Sequence, residues 1–292
     1  MDTSPSLWAD RQKPLSDEDK LKCQCKLGEL CWLATVSRPD ICARLANIAS
    51  RVNALQGCDI YRINDLIKTV KVWQPRTVLK YASSSKPMFP PKGDALGRLR
   101  ARGERLHKGT LTLVGWSDAA YGKLSEDGRC RLGYIIGLMS SSLSGPCHVL
   151  QWTSKFTRKL VKSSLGGEVY AFSEMVDHMA LIREFYTPFE GLSPGMVGLE
   201  DCESLFSHLR TKKMITEKYL VRHFLSIQQS LDNNELDNIY WLPGTENPAD
   251  GMTKMKSEMS PMLDLLKFGE FYPGILRPLK GVCSTEPSRE ES

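Results

Sequence analysis

An α/β fold, with a mixed five-stranded sheet flanked by helices and a small helical segment before it, is what the sequence predicts. Three observations predict it. Apolar residues recur at helical spacing from Leu21 to about Leu79. From Leu111 onward, three β-rich segments are followed by an alternation of helix-like and strand-like ones. Consecutive strands favour an antiparallel meander and later alternation favours parallel crossovers, so the sheet should be mixed.

Residues 1–20 are polar and contain proline, a loose lead-in. Residues 21–82 form the helical segment. Leu27, Leu30, Cys31 and Ala34 share one face; Arg38-Pro39-Asp40 breaks it and starts the next stripe, Ile41, Leu45, Ile48, Ala49 and Val52. Ile63, Leu66, Ile67, Val70 and Trp73 make a third. Residues 83–110 carry seven Lys/Arg against two acids, interrupted by prolines and glycines, and read as a basic linker.

The sheet is expected within residues 111–256. Leu111–Trp116 alternates and ends at Ser117-Asp118, and Leu132–Met139 and Cys147–Trp152 supply the next two strands. Residues 167–186 show a helical face of Phe172, Val176, Met179 and Ile182. Met196–Leu199 is a short apolar run that ends in Glu200-Asp201. Residues 217–232 predict another helix, Ile239–Leu242 the last strand, and Asn247-Pro248-Ala249-Asp250 the opening of a final helix. Residues 257–282 form a C-terminal extension and 283–292 a polar, disordered tail.

Composition excludes several classes. The longest apolar run, Leu132–Met139, is far short of the roughly 20 residues of a membrane helix, so no membrane partner is expected. The first 20 residues lack the apolar core of a secretory signal. Nine cysteines are scattered without CxxC pairs, which favours reduced thiols in an intracellular, cytoplasmic or nuclear setting over a zinc finger. The net charge of +5 is unevenly spread: +9 over residues 1–110 and −4 over residues 111–292. A basic half beside an acid-rich half fits a polyanion-binding surface next to a carboxylate centre.

Four acids stand at informative places. Asp118 follows the first strand, Glu168 falls in the first turn of the long helix, Asp201 ends the fourth strand, and Asp250 opens the last helix. Singly, each is an ordinary cap or turn residue. Together they can gather at one sheet edge, with strands one and four side by side. Clustered carboxylates repel unless cations intervene, and hard oxygen donors select Mg²⁺ or Mn²⁺. Two such ions about 4 Å apart are a common device for phosphodiester cleavage.

The motifs GWSDAAYG, RLGY, QWTSK…SSLGGEVYA, GLEDCESL and YWLPGTENPADGMTK occur in an order that resembles the ribonuclease H domain of copia-type retrotransposon polyproteins. ELCWLATVSRPDICARLANIASRVN resembles the end of the reverse transcriptase that precedes it, and the likeness spans roughly residues 27–254. The resemblance implies a ribonuclease H-like fold and a hydrolase that cuts the RNA strand of RNA–DNA hybrids within the retrotransposon reverse-transcription machinery. It implies that Asp118, Glu168, Asp201 and Asp250 are the catalytic and metal-binding set for two Mg²⁺ or Mn²⁺ ions, one activating water and one stabilising the leaving 3′-oxygen. Glu168 would also meet the ribose 2′-hydroxyl. No polymerase paired-aspartate motif is present, so a polymerase subunit or the rest of the polyprotein is an expected partner.

Two basic groups, Lys155, Arg158, Lys159 and Lys162, then Arg210, Lys212 and Lys213, are candidates for holding hybrid phosphates. The five histidines show no ligand spacing, and Trp116, Trp152 and Trp241 fit core packing. Cys202 stands where the family has asparagine, and Leu165-Gly166-Gly167 and Glu217-Lys218-Tyr219 also depart from its pattern. These departures motivate an alternative, a catalytically silent nucleic-acid-binding remnant of a decayed polyprotein. An integrase-like DNA nuclease of the same fold is a third reading.

Overall fold

The computed structural model describes residues 12–73, 111–121, 129–158, 160–186, 193–254 and 260–280. The basic linker at 83–110, the tail at 283–292 and Lys159 lie outside the described residues.

The N-terminal helices are α1 (Asp17–Val36), α2 (Cys42–Ala49) and α3 (Gly57–Trp73), with a 3₁₀ turn at Pro39–Ile41. Helix α1 starts inside the expected lead-in: Ser16 Oγ accepts from Asp19 N–H at 3.2 Å, and Asp17, Glu18 and Asp19 occupy the positive first turn. Cys23, Leu27, Leu30, Ile41, Leu45, Ile48, Ile63 and Leu66 form the core between these helices. The Arg38-Pro39-Asp40 break has a structural role. Arg38 Nε and Nη2 donate to the two Asp40 carboxylate oxygens at 2.7 Å each, and Arg38 Nη1 donates to Val70 O at 3.1 Å, so a buried two-pronged ion pair ties the turn to α3.

The sheet contains β1 (Thr112–Ala120), β2 (Arg131–Met139), β3 (Gly145–Phe156), β4 (Gly195–Glu200), β5 (Asn238–Trp241), β6 (Glu270–Phe271) and β7 (Arg277–Pro278), in the order β6-β3-β2-β1-β4-β5-β7. Strands β1–β3 form the antiparallel meander, and β4 and β5 add in parallel beyond β1. The sheet is therefore mixed, as expected, but the described residues hold seven strands rather than five. The two additional strands come from the C-terminal extension. Each is two residues long, too short for a periodic signal, and each covers an edge: β6 on β3 and β7 on β5.

Both faces of the sheet are covered. Helices α4 (Ser164–Tyr186), α5 (Glu203–Thr211) and α6 (Val221–Asp232) lie on one side. There Phe172, Met175, Met179, Leu205 and Phe224 pack with Leu113, Tyr134 and Ile136. The short α7 (Asp250–Thr253) and α8 (Ser260–Phe268) lie on the other, where Met252, Met262, Leu265 and Leu266 meet Trp116, Ile135 and Leu199. This two-sided cover explains why β1 and β2 are buried at every position. The helical segment joins the sheet through Trp152 of β3, whose Nε1 donates to Ala34 O at 2.8 Å. No described helix is long and apolar enough to cross a membrane.

Candidate active site

Strand β1 is longer than its apolar pattern suggests. Ser117 and Asp118 lie inside it, with Asp118 opposite Gly133 of β2, because the backbone ladder continues to Ala120–Arg131. The expectation that Asp118 follows the strand is corrected: it is a strand residue and only 3% exposed. Glu168 is likewise not in the first turn of its helix. It is the fifth residue of α4 and is 8% exposed, so neither capping nor the helix dipole accounts for it. Asp201 follows β4 directly, and the β1–β4 register, with Trp116 opposite Leu199, carries it alongside Asp118. Asp250 is the first residue of α7.

Three local devices converge these groups. Gly133, in the RLGY motif, leaves room for α7: a Cβ there would stand 2.5 Å from Met252 Cβ and 2.7 Å from Thr253 Cγ2. Gly167 does the same for α4, where a Cβ would meet Cys130 Sγ at 2.7 Å. Asn247 is fully buried and acts as a clamp. Its Nδ2 donates to Ser117 O at 2.7 Å and its Oδ1 accepts from Ala249 N–H at 3.0 Å, which fixes the loop that delivers Asp250.

Asp118 accepts from Thr253 Oγ1, and Lys254 Nζ reaches both Asp118, at 3.9 Å, and Asp250. Glu200 is completely buried, accepting from Ser117 Oγ at 2.6 Å and from Cys202 N–H at 3.1 Å. Trp241 Nε1 donates to Asp201 O at 3.0 Å, so this tryptophan positions the third acid besides packing. Glu168 Oε2 is buried and has no hydrogen-bond partner.

The electrostatics record the crowding. Burial pushes the Asp118 carboxyl up to about 6, with Asp201 and Asp250 adding to the shift while Lys254 and Thr253 oppose it. Burial first, then Glu200 and Asp118, raise Glu168 well above the carboxylate range. Burial and Asp201 do the same for Glu200. Asp201 is raised by burial and Asp250, with Asn247 and Lys254 pulling the other way. All four predicted acids thus share one electrostatic neighbourhood. The tightest group of possible ligand atoms among the described residues is a different one: Glu168, Glu200 and Cys202 lie within 4.8 Å of one another.

Sequence reasoning missed Glu200 and Lys254 as members of this site. Lys254 stands four residues after Asp250, as the C-cap of α7, a spacing that signals a pair. Glu200 had no such signal, because its role comes from tertiary burial against Ser117. The basic candidates are more dispersed. Lys155 pairs with Glu174, and Arg158 and Lys162 are exposed on the approach to α4. Arg210, Lys212 and Lys213 lie at the end of α5 remote from Asp201, roughly 13 Å along its axis. Lys212 is held there by Asp232 at 3.0 Å.

An antiparallel β3-β2-β1 meander extended by parallel β4 and β5, with helices on both faces, decides the architecture. The fold is ribonuclease H-like. Solved structures similar to the chain include ribonuclease H1 from the archaeon Halobacterium salinarum NRC-1, at 15% identity over 47% of this chain and 90% of that one, with a TM-score of 0.32. LC11-RNase H1, isolated from compost and solved in complex with an RNA/DNA hybrid, matches at 12% identity over 49% and 93%, TM-score 0.35. Prototype foamy virus protease-reverse transcriptase matches at 11% over 56% of this chain and 21% of that one, TM-score 0.30. No family model and no curated protein sequence matches the chain.

Proposed function

We propose that this chain is a divalent-metal-dependent endonuclease that hydrolyses the RNA strand of RNA–DNA hybrids, as part of a copia-type retrotransposon reverse-transcription machinery. The observation that carries the reading is the convergence of Asp118, Glu168, Asp201 and Asp250 from four separate elements, with a buried Glu168 oxygen left unpartnered. Hard oxygen donors and an orphaned carboxylate oxygen fit Mg²⁺ or Mn²⁺. The four carboxylates would hold two ions, which when bound supply water activation and stabilisation of the leaving oxygen.

The remaining work falls to the chain. Thr253 fixes the orientation of Asp118, and Asn247 fixes the loop of Asp250. Glu168 faces the ribose 2′-hydroxyl and distinguishes RNA from DNA. Lys155, Arg158 and Lys162 hold hybrid phosphates on the approach to α4, with Lys159 proposed for the same role from its place in the sequence, and Arg210, Lys212 and Lys213 contact the backbone farther along the duplex. The test is a labelled hybrid incubated with purified protein and Mg²⁺ or Mn²⁺. Cleavage of RNA but not of DNA is expected, with loss in Asp118→Asn. No cleavage with either metal, or full cleavage by the variant, refutes the proposal.

A second reading, hybrid binding without turnover, is favoured by one observation: the Lys254 ammonium engages two of the four acids. Tight, salt-dependent hybrid binding without cleavage would select it.

A further inference from the structure

Cys202 brings a thiol to a place where the resembled family carries an amide, and its surroundings are specific. One ligand atom each from Glu168, Glu200 and Cys202 lies within 4.8 Å of the other two. Glu200 is held from behind by Ser117 Oγ and by the Cys202 N–H, and its carboxylate keeps further lone pairs. Cys202 Sγ lies 3.0 Å from Ser204 Oγ, half-buried at the start of α5. Glu168 Oε2, more than nine-tenths buried, has no partner. The two buried carboxylates oppose one another, and burial together with Glu200 holds the neighbouring Cys202 in its neutral thiol form; a cation offsets the repulsion and gives the orphaned oxygen a partner.

We propose that Glu168, Glu200 and Cys202 form a site for a thiophilic divalent cation, of which zinc is the type, and that it competes for Glu168 with the nuclease site. The donor set discriminates. Sulfur ligands favour zinc and cadmium over magnesium, whereas Asp118, Asp201 and Asp250 offer only hard oxygens. Zinc–sulfur and zinc–oxygen bonds of about 2.3 and 2.1 Å place tetrahedral ligands about 3.5 Å apart. The three groups therefore close by about an ångström on the ion, which side-chain rotation at half-buried Cys202 can supply. The thiol proton leaves to solvent as the sulfur–metal bond forms, and water completes the coordination. Binding at this site withdraws Glu168 from the four-carboxylate set and so inhibits cleavage; that consequence, unlike the binding, rests on the nuclease reading.

The experiment titrates the full chain with Cd²⁺ in magnesium-free buffer and follows the ultraviolet thiolate-to-cadmium charge-transfer band. The tightest Cd²⁺ is expected to bind once per chain, to be displaced by Zn²⁺, and to lose its band in Cys202→Ser. Affinity should fall by at least about tenfold in Glu200→Gln, which keeps every thiol, and stay unchanged in Cys25→Ser, an exposed control. Near-UV circular dichroism verifies folding, and if Glu200→Gln unfolds, the Cys202→Ser result decides alone. A band of equal affinity in Cys202→Ser, or one that Zn²⁺ fails to displace, overturns the proposal. A second arm adds Zn²⁺ to Mg²⁺-supported hybrid cleavage, where Cys202→Asn should need about tenfold more Zn²⁺ for inhibition. If no cleavage occurs at all, the nuclease reading fails while the cadmium result stands.

Discussion

Replacing Asp118 with asparagine should make the metal-free protein more stable while abolishing its activity. Burial raises the Asp118 carboxyl from an ordinary 3.8 to about 6, so the folded state holds this proton more tightly than the unfolded chain. Stability from this group is complete below about pH 4, declines as pH rises, and is gone above about pH 6. A shift of about two units corresponds to roughly 3 kcal/mol at pH 8 as an upper bound. Asparagine has no charge to desolvate, but it forfeits the Lys254 attraction and brings an amide that needs partners, so about 1–2 kcal/mol is the expected net gain. In a chain of this size that raises the melting temperature by about 2–8 °C. The assay is thermal melting of both proteins in EDTA at pH 8 and pH 4.5. The variant should melt higher at pH 8 and about equally at pH 4.5. A variant that melts lower at pH 8, or an increment independent of pH, refutes the electrostatic account.

Other outcomes follow from the same geometry. Gly133→Ala should cost about 1–3 kcal/mol in denaturant unfolding, since its Cβ would overlap Met252 and Thr253, and it should lower metal affinity by displacing α7. Asp40→Ala leaves the Arg38 guanidinium buried without its carboxylate and should cost about 3–5 kcal/mol, read by urea titration of the far-UV signal. Saturating Mg²⁺ should raise the wild-type melting temperature, and the increment should grow from pH 5 to pH 8 because protons on the raised Asp118 and Glu168 carboxyls compete with the metal. The Asp118→Asn protein should show little of that increment.

Much of the fold was legible because its signals are local. The helical stripes around Leu27, Leu45 and Leu66 declare themselves by periodicity, and the strands at Leu132–Met139 and Met196–Leu199 as continuous apolar runs that the structure buries on both faces. Strand β1 was read too short because its polar end is buried by tertiary contacts: Ser117 by Glu200, and Asp118 by Thr253. Strands β6 and β7 exist only as edge partners and carry no pattern of their own. At the site, Asp118, Glu168, Asp201 and Asp250 were visible as acids at the expected element boundaries and through motif order, although Asp118 lies inside β1 and Glu168 beyond the first turn of α4. Glu200 was not, since nothing in GLEDCES marks which of its acids turns inward. The environment of Cys202 is equally tertiary, although its identity stood out in the sequence.

The central claim is that four carboxylates from four elements constitute a metal site, and metal occupancy tests it most directly. A crystal of the protein grown with Mn²⁺ should show two anomalous peaks among Asp118, Glu168, Asp201 and Asp250, with the Lys254 ammonium moved away from Asp118. Absence of manganese from these carboxylates at saturating concentration, with Lys254 still in place, would contradict it.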